Sequence, residues 1–283
     1  MPAESLDEGL TPSGRSAQRL LRPVAGNFDA AHLQEIHRRI FQDLPHHGPG
    51  EYRPPAPFHI KARALEESGA RYYVGYANRE DVEPGLRKIL GDLKGGRVLI
   101  GLPQPDFTDK MSRLYSDLDY IHPFREGNSR TLRCFTAQLA RSVGYQLDWT
   151  VLAESPKGRD RLYMARDQAV LERRYPGLNE FRAMQTQDRA EYEAYFIKER
   201  LGKEPNLAAL LEGCIQPRSL VLTIRETISE LALADVPAAA KRDIEKRLAT
   251  LAKPLSKAER DQFAPSELKQ IKRALGRTFG VDR

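Results

Sequence analysis

Cysteine is nearly missing from this sequence of 283 residues, which has Cys134 and Cys214 as its two examples. They lie far apart and form no CxxC pair, so we expect neither a disulfide framework nor a thiolate zinc site. A reducing cytosol is therefore the expected compartment.

Long apolar runs are missing as well. No stretch approaches the roughly 18 apolar residues of a membrane span. The N-terminal residues MPAESLDEGLTPSGR contain no apolar core of a signal peptide. We therefore expect no membrane association. With 40% hydrophobic and 30% charged residues, the chain can still bury a core, and its length predicts one or two domains.

Net charge is absent from most of the chain. Residues 1–240 hold 33 basic and 33 acidic side chains, whereas residues 241–283 hold 12 and 6, so the excess of +6 lies in the tail. A balanced body argues against nucleic acid as a partner of that body. For the basic tail, four interpretations stay open: solvated helix faces, a nucleic-acid surface, an acidic partner or a secretion signal.

Hydrophobic periodicity predicts a largely helical chain. Residues 1–21 have few large apolar side chains and indicate a flexible arm. Helices are predicted at 29–43, from 82 to about 94, at 109–121, 131–143, 151–175 and 178–200, with further short helices between later prolines. One strand is predicted at 71–76. No internal repeat or alternating βα pattern occurs, so the expected fold class is all-α with a short β-hairpin.

The pair His46-His47 could suggest a metal site. It lies on a loop, residues 44–50, that contains two prolines and two glycines and must end the first helix. No carboxylate or cysteine stands at ligand spacing, so the segment is interpreted as a solvated loop.

The segment from His122 to Arg133, HPFREGNSRTLR, is predicted to join two helices by a glycine-containing loop. Gly127, Asn128 and Ser129 would then present backbone N–H groups at a helix N-terminus, which attracts anions. Arg130 and Arg133 stand three residues apart on the first turn, close enough to bind one polyanion. The sequence therefore predicts a phosphate site.

Glu126 beside this site would repel a bare phosphate. It is explained if Mg²⁺ lies between them, because Mg²⁺ takes one or two carboxylates together with phosphate oxygens. His122 offers an imidazole that can accept a proton near neutral pH. Together these residues predict nucleotide chemistry at a phosphate, with an attacking hydroxyl deprotonated by His122.

Taken singly, each residue of this segment has a simpler explanation. Phe124 is expected to be a buried anchor of the loop and Arg125 to point to solvent. Arg133 alone could be an ordinary surface arginine, and His122 alone a helix C-cap. Their joint occurrence within twelve residues favours the functional interpretation.

The segment resembles the signature H-x-F-x-[D/E]-G-N-G-R-x-x-R of Fic domains. Ser129 stands where the third glycine is usual, and the other signature positions match: His122, Phe124, Glu126, Gly127, Asn128, Arg130 and Arg133. Weaker similarity extends upstream to residues 28–43 and downstream to 145–149. The resemblance is judged to cover 22–200, which leaves 201–283 as a basic helical appendage.

The resemblance implies transfer of AMP from ATP to a Tyr, Ser or Thr hydroxyl of a target protein, with release of pyrophosphate. It implies that His122 is the general base and that Glu126 binds Mg²⁺. It further implies that the nucleotide phosphates are held by Gly127, Asn128, Ser129, Arg130 and Arg133. A hairpin flap would align the target by β-augmentation, and it is placed at Tyr72, Tyr73, Val74, Gly75 and Tyr76.

Two departures from the family pattern concern local structure. Ser129 keeps the backbone N–H and suits a helix N-terminus, so the change from glycine is mild. The loop Pro45–Gly50 lacks the Asp-x-Tyr-x-Trp-Ala-Gly run that the family often has there, which leaves one pocket wall undefined.

Many Fic proteins carry an inhibitory [S/T]-x-x-x-E-[G/N] helix, and this sequence contains no such motif. Glutamate precedes glycine or asparagine at Glu8, Glu126 and Glu212, and none of these has Ser or Thr four residues earlier. The resulting hypothesis is a toxin-like bacterial enzyme silenced by a separate small antitoxin whose glutamate pairs with Arg133. Type II topoisomerase subunits are the expected targets in that subgroup.

Two alternatives stay open. The same site could transfer UMP, phosphate or phosphocholine, because an anion site recognises phosphates rather than a base. The chain could also be a decayed Fic module that serves interaction or secretion into a host or recipient cell, although the intact His122, Glu126, Arg130 and Arg133 argue against decay.

Overall fold

The computed structural model describes residues 23–56, 59–234 and 236–279, so the predicted N-terminal arm lies outside the described residues. Within these ranges the chain forms thirteen α-helices and two small antiparallel sheets. The expected fold class, all-α with a short hairpin, is confirmed, and a second two-stranded sheet is an addition that we did not predict. Among these helices, none combines the length and the apolar character needed to cross a bilayer.

The elements have the following bounds. The helices are α1 Ala30–Phe41, α2 Val82–Asp92, α3 Gln104–Ile121, α4 Asn128–Ser142, α5 Thr150–Ala153, α6 Pro156–Arg174, α7 Glu180–Gln185, α8 Arg189–Leu201, α9 Leu207–Glu212, α10 Leu220–Leu231, α11 Ala238–Ala252, α12 Lys257–Arg260 and α13 Pro265–Phe279. The strands are β1 Ile60–Ala64, β2 Arg71–Gly75, β3 Tyr145–Leu147 and β4 Ile215–Pro217. Short 3₁₀ helices span Pro45–His47, Arg79–Asp81 and Lys94–Leu99.

Three predicted helices differ by more than three residues from the observed ones. Helix α3 starts five residues earlier than predicted, because its proline falls in the first turn, where the missing N–H breaks no helical bond. The predicted helix at 151–175 is divided into α5 and α6 at Ser155, whose hydroxyl accepts from the Gly158 N–H as an N-cap. The predicted helix at 178–200 is divided into α7 and α8, because the Asp188 carboxylate accepts from the Ala190 N–H and starts a new helix there. A proline in the first turn is thus compatible with the start of α3, whereas polar capping residues decided where α6 and α8 begin.

The main core is built around α3 and α4. Helix α3 contributes Phe107, Met111 and Leu118, each fully buried. Helix α1 lies against α4 and begins at Asp29, whose carboxylate accepts from the His32 N–H at 2.8 Å. Because α1 and α4 both pack on the same core as α3, the loop between α3 and α4 is held from two sides.

The hairpin β1–β2 packs through β2 on the second half of α6. Val74 is fully buried there and Tyr72 nearly so, in a cluster that includes Val170 and Leu171. The strand predicted at 71–76 is thus confirmed as β2, whereas its partner β1 was not predicted. The two strands pair with Lys61 opposite Val74 and Arg63 opposite Tyr72.

The second sheet changes the predicted domain boundary at residue 201. Strand β4 pairs with β3, which directly follows α4, and Leu211 and Ile215 are fully buried in the main core beside α3. Residues 207–217 therefore belong to the body of the protein, because their apolar side chains fill its core. The appendage begins after Pro217.

Helices α10, α11 and α13 enclose a smaller core of their own, around Ile224, Leu248 and Ile271. Most of the paired basic residues of this region are exposed: Lys241, Arg242, Lys246, Lys272 and Arg273. Arg247 is different, since it is fully buried and donates to the Glu230 carboxylate at 2.5 Å. One charge of the tail is thus neutralised inside the fold.

Candidate active site

The loop between α3 and α4 begins at His122, which ends α3 in a left-handed conformation with φ of 47° and ψ of 59°. A non-glycine residue there costs on the order of 1 kcal/mol, so it must be held by its surroundings. The buried Arg53 does this: its Nε donates to the His122 carbonyl at 2.9 Å, and its own backbone N–H donates to the Pro123 carbonyl at 2.9 Å. Arg53 therefore fixes the start of the loop.

Asn128 closes the loop from the other end. Its Oδ1 accepts from the Phe124 N–H at 2.9 Å and its Nδ2 donates to the Phe124 carbonyl at 2.7 Å. Phe124 is fully buried, as predicted, and its ring stacks on His37 with centroids 3.9 Å apart. The side chain of Asn128 thus shapes the loop, and its backbone N–H stays available at the start of α4.

His37 ties the loop to α1. Its Nδ1 accepts from the Gly50 N–H at 2.9 Å, so Nε2 carries the proton and donates to the Glu126 carbonyl at 3.1 Å. Burial lowers the pKa of His37 to about 4, which keeps it neutral. The histidine is structural, and it orients the residue that we predicted as a metal ligand.

Gly127 must be glycine for two reasons. Its φ is 79°, and a Cβ would lie 2.2 Å from two ring carbons of Phe41. The backbone can therefore turn directly over the Phe41 ring and start α4 with its N–H groups facing outward. Thr131 is the first residue whose N–H bonds within this turn, to the Gly127 carbonyl at 3.0 Å, so the preceding amides are free for an anion.

The His122 ring is neutral, and its tautomer follows from one contact. Its Nδ1 donates to the Asp119 carbonyl at 3.3 Å, which leaves Nε2 as an unprotonated acceptor. Burial lowers the pKa of His122 well below its ordinary value, and the nearby His59, Arg166 and Lys61 add to that effect. His122 is therefore able to take a proton at neutral pH.

His122 and the residues from Glu126 to Arg130 line a cavity of about 280 Å³. Its described walls come from the hairpin, the loop, α4 and α6, and they carry five cationic side chains: Lys61, Arg63, Arg130, Arg133 and Arg166. Glu126 supplies the one carboxylate among those lining residues. The cavity thus suits a polyanion held beside one carboxylate and one neutral imidazole.

Glu126 pairs with the hairpin across the cavity mouth. Lys61 Nζ donates to its Oε1 at 2.8 Å and also to the Arg125 carbonyl at 3.1 Å. The Glu126 carboxylate is 52% exposed and therefore accessible to a cation from solution. Arg125 is exposed, as predicted.

The two signature arginines lie on the first turns of α4. The Arg130 guanidinium stands over the Phe41 ring, with its carbon 5.1 Å from the centroid, and Arg133 Nε donates to the Ser129 carbonyl at 3.4 Å. Both line the cavity, so the predicted phosphate residues are brought together with His122 and Glu126.

Residues 27–140 match the family model of the Fic/DOC family. Residues 27–140 form a Fic/DOC domain. This segment runs from the start of α1 to near the end of α4, so it contains the hairpin and the whole loop with its arginines. It is shorter than the range 22–200 that we judged from the resemblance.

Two curated relatives of this Fic/DOC domain are named protein adenylyltransferases. The protein adenylyltransferase VbhT of Bartonella schoenbuchensis is 32% identical over 126 residues, which is 44% of this chain and 24% of the relative. A protein adenylyltransferase of Bartonella henselae is 29% identical over 131 residues, 45% of this chain and 24% of the relative. The chain thus spans about a quarter of the length of these two relatives.

A solved Fic domain is also similar. It is the N-terminal Fic domain of a VirB-translocated Bep effector protein of Bartonella quintana, with bound ADP. The TM-score is 0.49 at 23% identity, over 75% of this chain and 86% of that chain.

The predicted flap residues lie on β2 and just after it, and of these Tyr76 lines the cavity. The strand beside the cavity of the Fic/DOC domain is β1, through Lys61, Ala62 and Arg63. The segment IKARA was only a weak signal for β1: Lys61 and Arg63 alternate with apolar residues, but two of those are alanines, which favour strands little.

Helix α6 supplies site residues that sequence reasoning missed. Asp167 is fully buried and accepts from Arg63 at 2.6 and 2.7 Å and from the Tyr72 hydroxyl at 2.9 Å, which fastens the hairpin to α6. Its neighbour Arg166 lines the cavity. Neither residue carries a local sequence signal, because both act through partners about 40 to 100 residues away in sequence.

His46 and His47 lie on the 3₁₀ helix at Pro45–His47 rather than in an open loop. The His47 ring stacks on Phe41, with centroids 4.7 Å apart. Across the ranges that the structure describes, no group of three or more His, Cys, Asp or Glu side chains is placed to hold a metal ion.

Proposed function

We propose that this chain transfers AMP from ATP to a Tyr, Ser or Thr hydroxyl of a target protein and releases pyrophosphate. The observation that carries the proposal is His122, neutral and with Nε2 free, in the wall of a cavity that Arg130 and Arg133 also line. The names of the two protein adenylyltransferase relatives support it.

The proposed reaction is one displacement at phosphorus. The target oxygen forms a bond to the α-phosphorus, and the bond from that phosphorus to the oxygen bridging to the β-phosphate breaks. Pyrophosphate leaves with the electron pair, and the hydroxyl proton goes to Nε2 of His122. A positioned base of this kind contributes roughly 10²- to 10⁴-fold to a rate.

The phosphates would be held at the start of α4. The helix starts after its N-cap residue Gly127 without a side-chain cap, so the N–H groups of its first turn would bind one anion, and the positive end of the helix dipole would add to their effect. Arg130 and Arg133 would neutralise the remaining charge, with Arg133 on the γ-phosphate as the resemblance implies.

Mg²⁺ fits the donor set at Glu126. One accessible carboxylate beside a phosphate site is the arrangement that Mg²⁺ uses when it keeps several waters and takes its other ligands from substrate phosphates. Bound there, the ion would neutralise negative charge on the phosphates. Lys61 donates to Oε1, so Mg²⁺ would either take Oε2 or displace Lys61 from the carboxylate.

A target segment would pair with the free edge of β1. The His59 carbonyl accepts from the Tyr76 N–H at 2.9 Å, and the Leu65 N–H donates to the Ala70 carbonyl at 2.9 Å. Because such bonds alternate along an antiparallel strand, the N–H and C=O of Ala62 point away from β2. An extended target strand added at this edge would place its hydroxyl residue beside the cavity.

The decisive experiment uses purified chain, Mg²⁺ and ATP labelled on either the α- or the γ-phosphate. We expect α-label on protein, no γ-label on protein, and loss of α-label in His122→Ala. Transfer of γ-label would support phosphoryl transfer instead, and labelled UTP tests UMP transfer. A chain that labels neither itself nor bacterial lysate with any nucleotide would support the decayed module.

We further propose that a separate small antitoxin with a Ser/Thr-x-x-x-Glu-Gly motif silences the enzyme by pairing its glutamate with Arg133. Type II topoisomerase subunits are the proposed targets in bacterial cytoplasm. Growth should stop when the chain is expressed alone and continue with His122→Ala. Equal healthy growth of both strains would contradict the toxin proposal but not the AMP transfer.

A further inference from the structure

Asp119 is a fully buried carboxylate one helical turn before His122 on α3. A buried carboxylate is stable only if it is paired and hydrogen-bonded. Arg166 of α6 supplies both: Nε donates to Oδ2 at 3.0 Å and Nη2 donates to Oδ1 at 2.9 Å. The pair therefore has a two-point geometry that a lysine could not reproduce.

Arg166 also reaches the first turn of α4. Its Nη1 donates to the Ser129 hydroxyl at 3.0 Å. Ser129 occupies the position where the family signature has glycine, so the side chain that departs from the signature is the one that accepts this bond. One guanidinium, 2% exposed, thus joins α3 and α4 at the two ends of the loop.

Asp119 in turn sets the orientation of His122. Its backbone carbonyl accepts from His122 Nδ1 at 3.3 Å, and its Oδ1 lies 3.8 Å from the same nitrogen. A shift of Asp119 would therefore turn the imidazole and move Nε2 relative to the cavity.

All three nitrogen positions of Arg166 are engaged by Asp119 and Ser129. If Arg166 left them to bind a phosphate, Asp119 would become a buried charge without a partner, which is strongly unfavourable. The engaged geometry therefore favours a fixed support over a direct phosphate ligand.

We propose that Arg166 is a positioning residue, which holds Asp119 and Ser129 so that Nε2 of His122 and the phosphate-binding turn of α4 keep a fixed separation. This proposal rests on the proposed AMP transfer. Arg166 and its helix lie outside the segment that matches the family model, whereas Asp119 and Ser129 lie inside it.

Several other groups face His122. From the hairpin side come His59, Lys61 and Tyr76, whose ring centroid is 3.8 Å from that of His122. From α3 comes Asp119, and from α6 comes Arg166, a cation that lowers the pKa of His122. Removal of the Arg166 charge should raise that pKa, and Asp119, left uncompensated, should raise it further.

The test compares Arg166→Met and Arg166→Lys with Arg173→Met as a matched control. Arg173 also joins α6 to α3, through an ion pair with Asp117, but it lies about two helical turns along α6 from Arg166 and is not among the residues that line the cavity. We expect kcat for AMP transfer to fall about 10- to 100-fold in both Arg166 variants, because a misplacement near 1 Å can have an effect of that size. KM for ATP should change less than about threefold, and Arg173→Met should match wild type.

A second readout does not need activity. Nuclear magnetic resonance titration of the chain with labelled histidine gives the pKa of His122, assigned by the signal that is missing in His122→Ala. We expect this pKa to rise in Arg166→Met and to stay near the wild-type value in Arg173→Met. If Arg166→Met is unfolded, Arg166→Lys, which keeps the charge, decides through kcat.

The outcomes separate the two proposals. A wild-type chain that transfers no AMP refutes the proposed function, and the titration then decides on Arg166 by itself. Unchanged kcat and unchanged pKa of His122 in the Arg166 variants would overturn the positioning role. A raised KM for ATP with unchanged kcat would also overturn it, since Arg166 would then bind nucleotide directly.

Discussion

At the scale of single residues, the site depends on side chains that hold other side chains. His122 is left-handed because Arg53 binds its carbonyl, and its tautomer is set by the Asp119 carbonyl. The Asn128 side chain accepts from the Phe124 N–H, and the His37 ring donates to the Glu126 carbonyl, so both side chains hold the backbone of the loop. The signature residues were predictable from sequence, but most of their supports were not, because those contacts come from distant parts of the chain.

Gly127→Ala tests the close approach of the loop to α1. The added methyl group would meet the Phe41 ring at 2.2 Å in a backbone with φ of 79°. We expect the free energy of unfolding to fall by about 2 to 4 kcal/mol and the melting temperature to fall with it, because overpacking and backbone strain act together.

Gly144→Ala is the matched control for that change. Gly144 has a φ of 97° but nothing within 4 Å of the added Cβ, so it reports the strain alone. Thermal unfolding followed by circular dichroism measures both. Equal destabilisation of the two variants would show that the Phe41 ring moves aside without any loss of stability, which would contradict the predicted overpacking.

The pH dependence of AMP transfer tests the state of His122. The base acts when neutral, and burial holds its pKa well below 6.5, so protonation removes activity only at lower pH. We expect kcat/KM to stay constant as pH falls from 8 through about 6.5 and to decline below that. A decline that begins above pH 7 would contradict a neutral, buried base.

At the scale of elements, the hairpin links the cavity to α6. Strand β2 packs on α6, and Asp167 fastens β1 through Arg63. Sequence pattern predicted β2, which is aromatic and β-branched, but missed β1, whose small and charged residues follow strand alternation weakly. The cavity is lined by the strand that was harder to predict.

Ala62→Pro tests target docking at the β1 edge. The N–H of Ala62 points away from β2, so proline should remove an edge donor without breaking the hairpin. We expect kcat/KM for a protein target to fall at least about tenfold, from loss of a backbone bond and obstruction of the edge.

The control for this change is Ala62→Ser, which alters the side chain and keeps the N–H. Binding of a non-hydrolysable ATP analogue, measured by calorimetry, should be the same in wild type and both variants. Normal labelling of target by Ala62→Pro would place docking elsewhere.

At the scale of the whole molecule, the body of the protein extends past the Fic/DOC match. Residues 207–217 return to the main core and pair β4 with β3. In the basic tail, residues 241–283, the described residues up to 279 pack with α10 around a small core of their own. The excess charge of the tail lies mostly on exposed side chains. Phosphate binding is therefore local to the cavity and needs no field from the tail.

Two truncations test this boundary. A chain that ends at Arg200 loses five apolar residues of the main core, Leu207, Leu210, Leu211, Cys214 and Ile215. At about 1.5 to 3 kcal/mol for each large side chain, this loss is comparable with the whole stability of a domain. We expect no cooperative unfolding transition.

A chain that ends at Arg218 keeps those residues and both strands of the second sheet. We expect it to unfold cooperatively at a melting temperature below that of the full chain, because it loses the contact of Arg247 with the Phe28 ring. Equal behaviour of the two truncated chains in thermal unfolding would place the boundary back at residue 201.

By itself the sequence determined the helical class and the segment His122 to Arg133, because local periodicity and a short motif depend on neighbours in the chain. It also determined where the charge excess lies. Only the tertiary structure decided that Arg166 joins Asp119 to Ser129, that β1 lines the cavity, and that residues 207–217 complete the core. Those features depend on side chains that meet across long sequence separations, and their geometry leaves no periodic trace in the sequence.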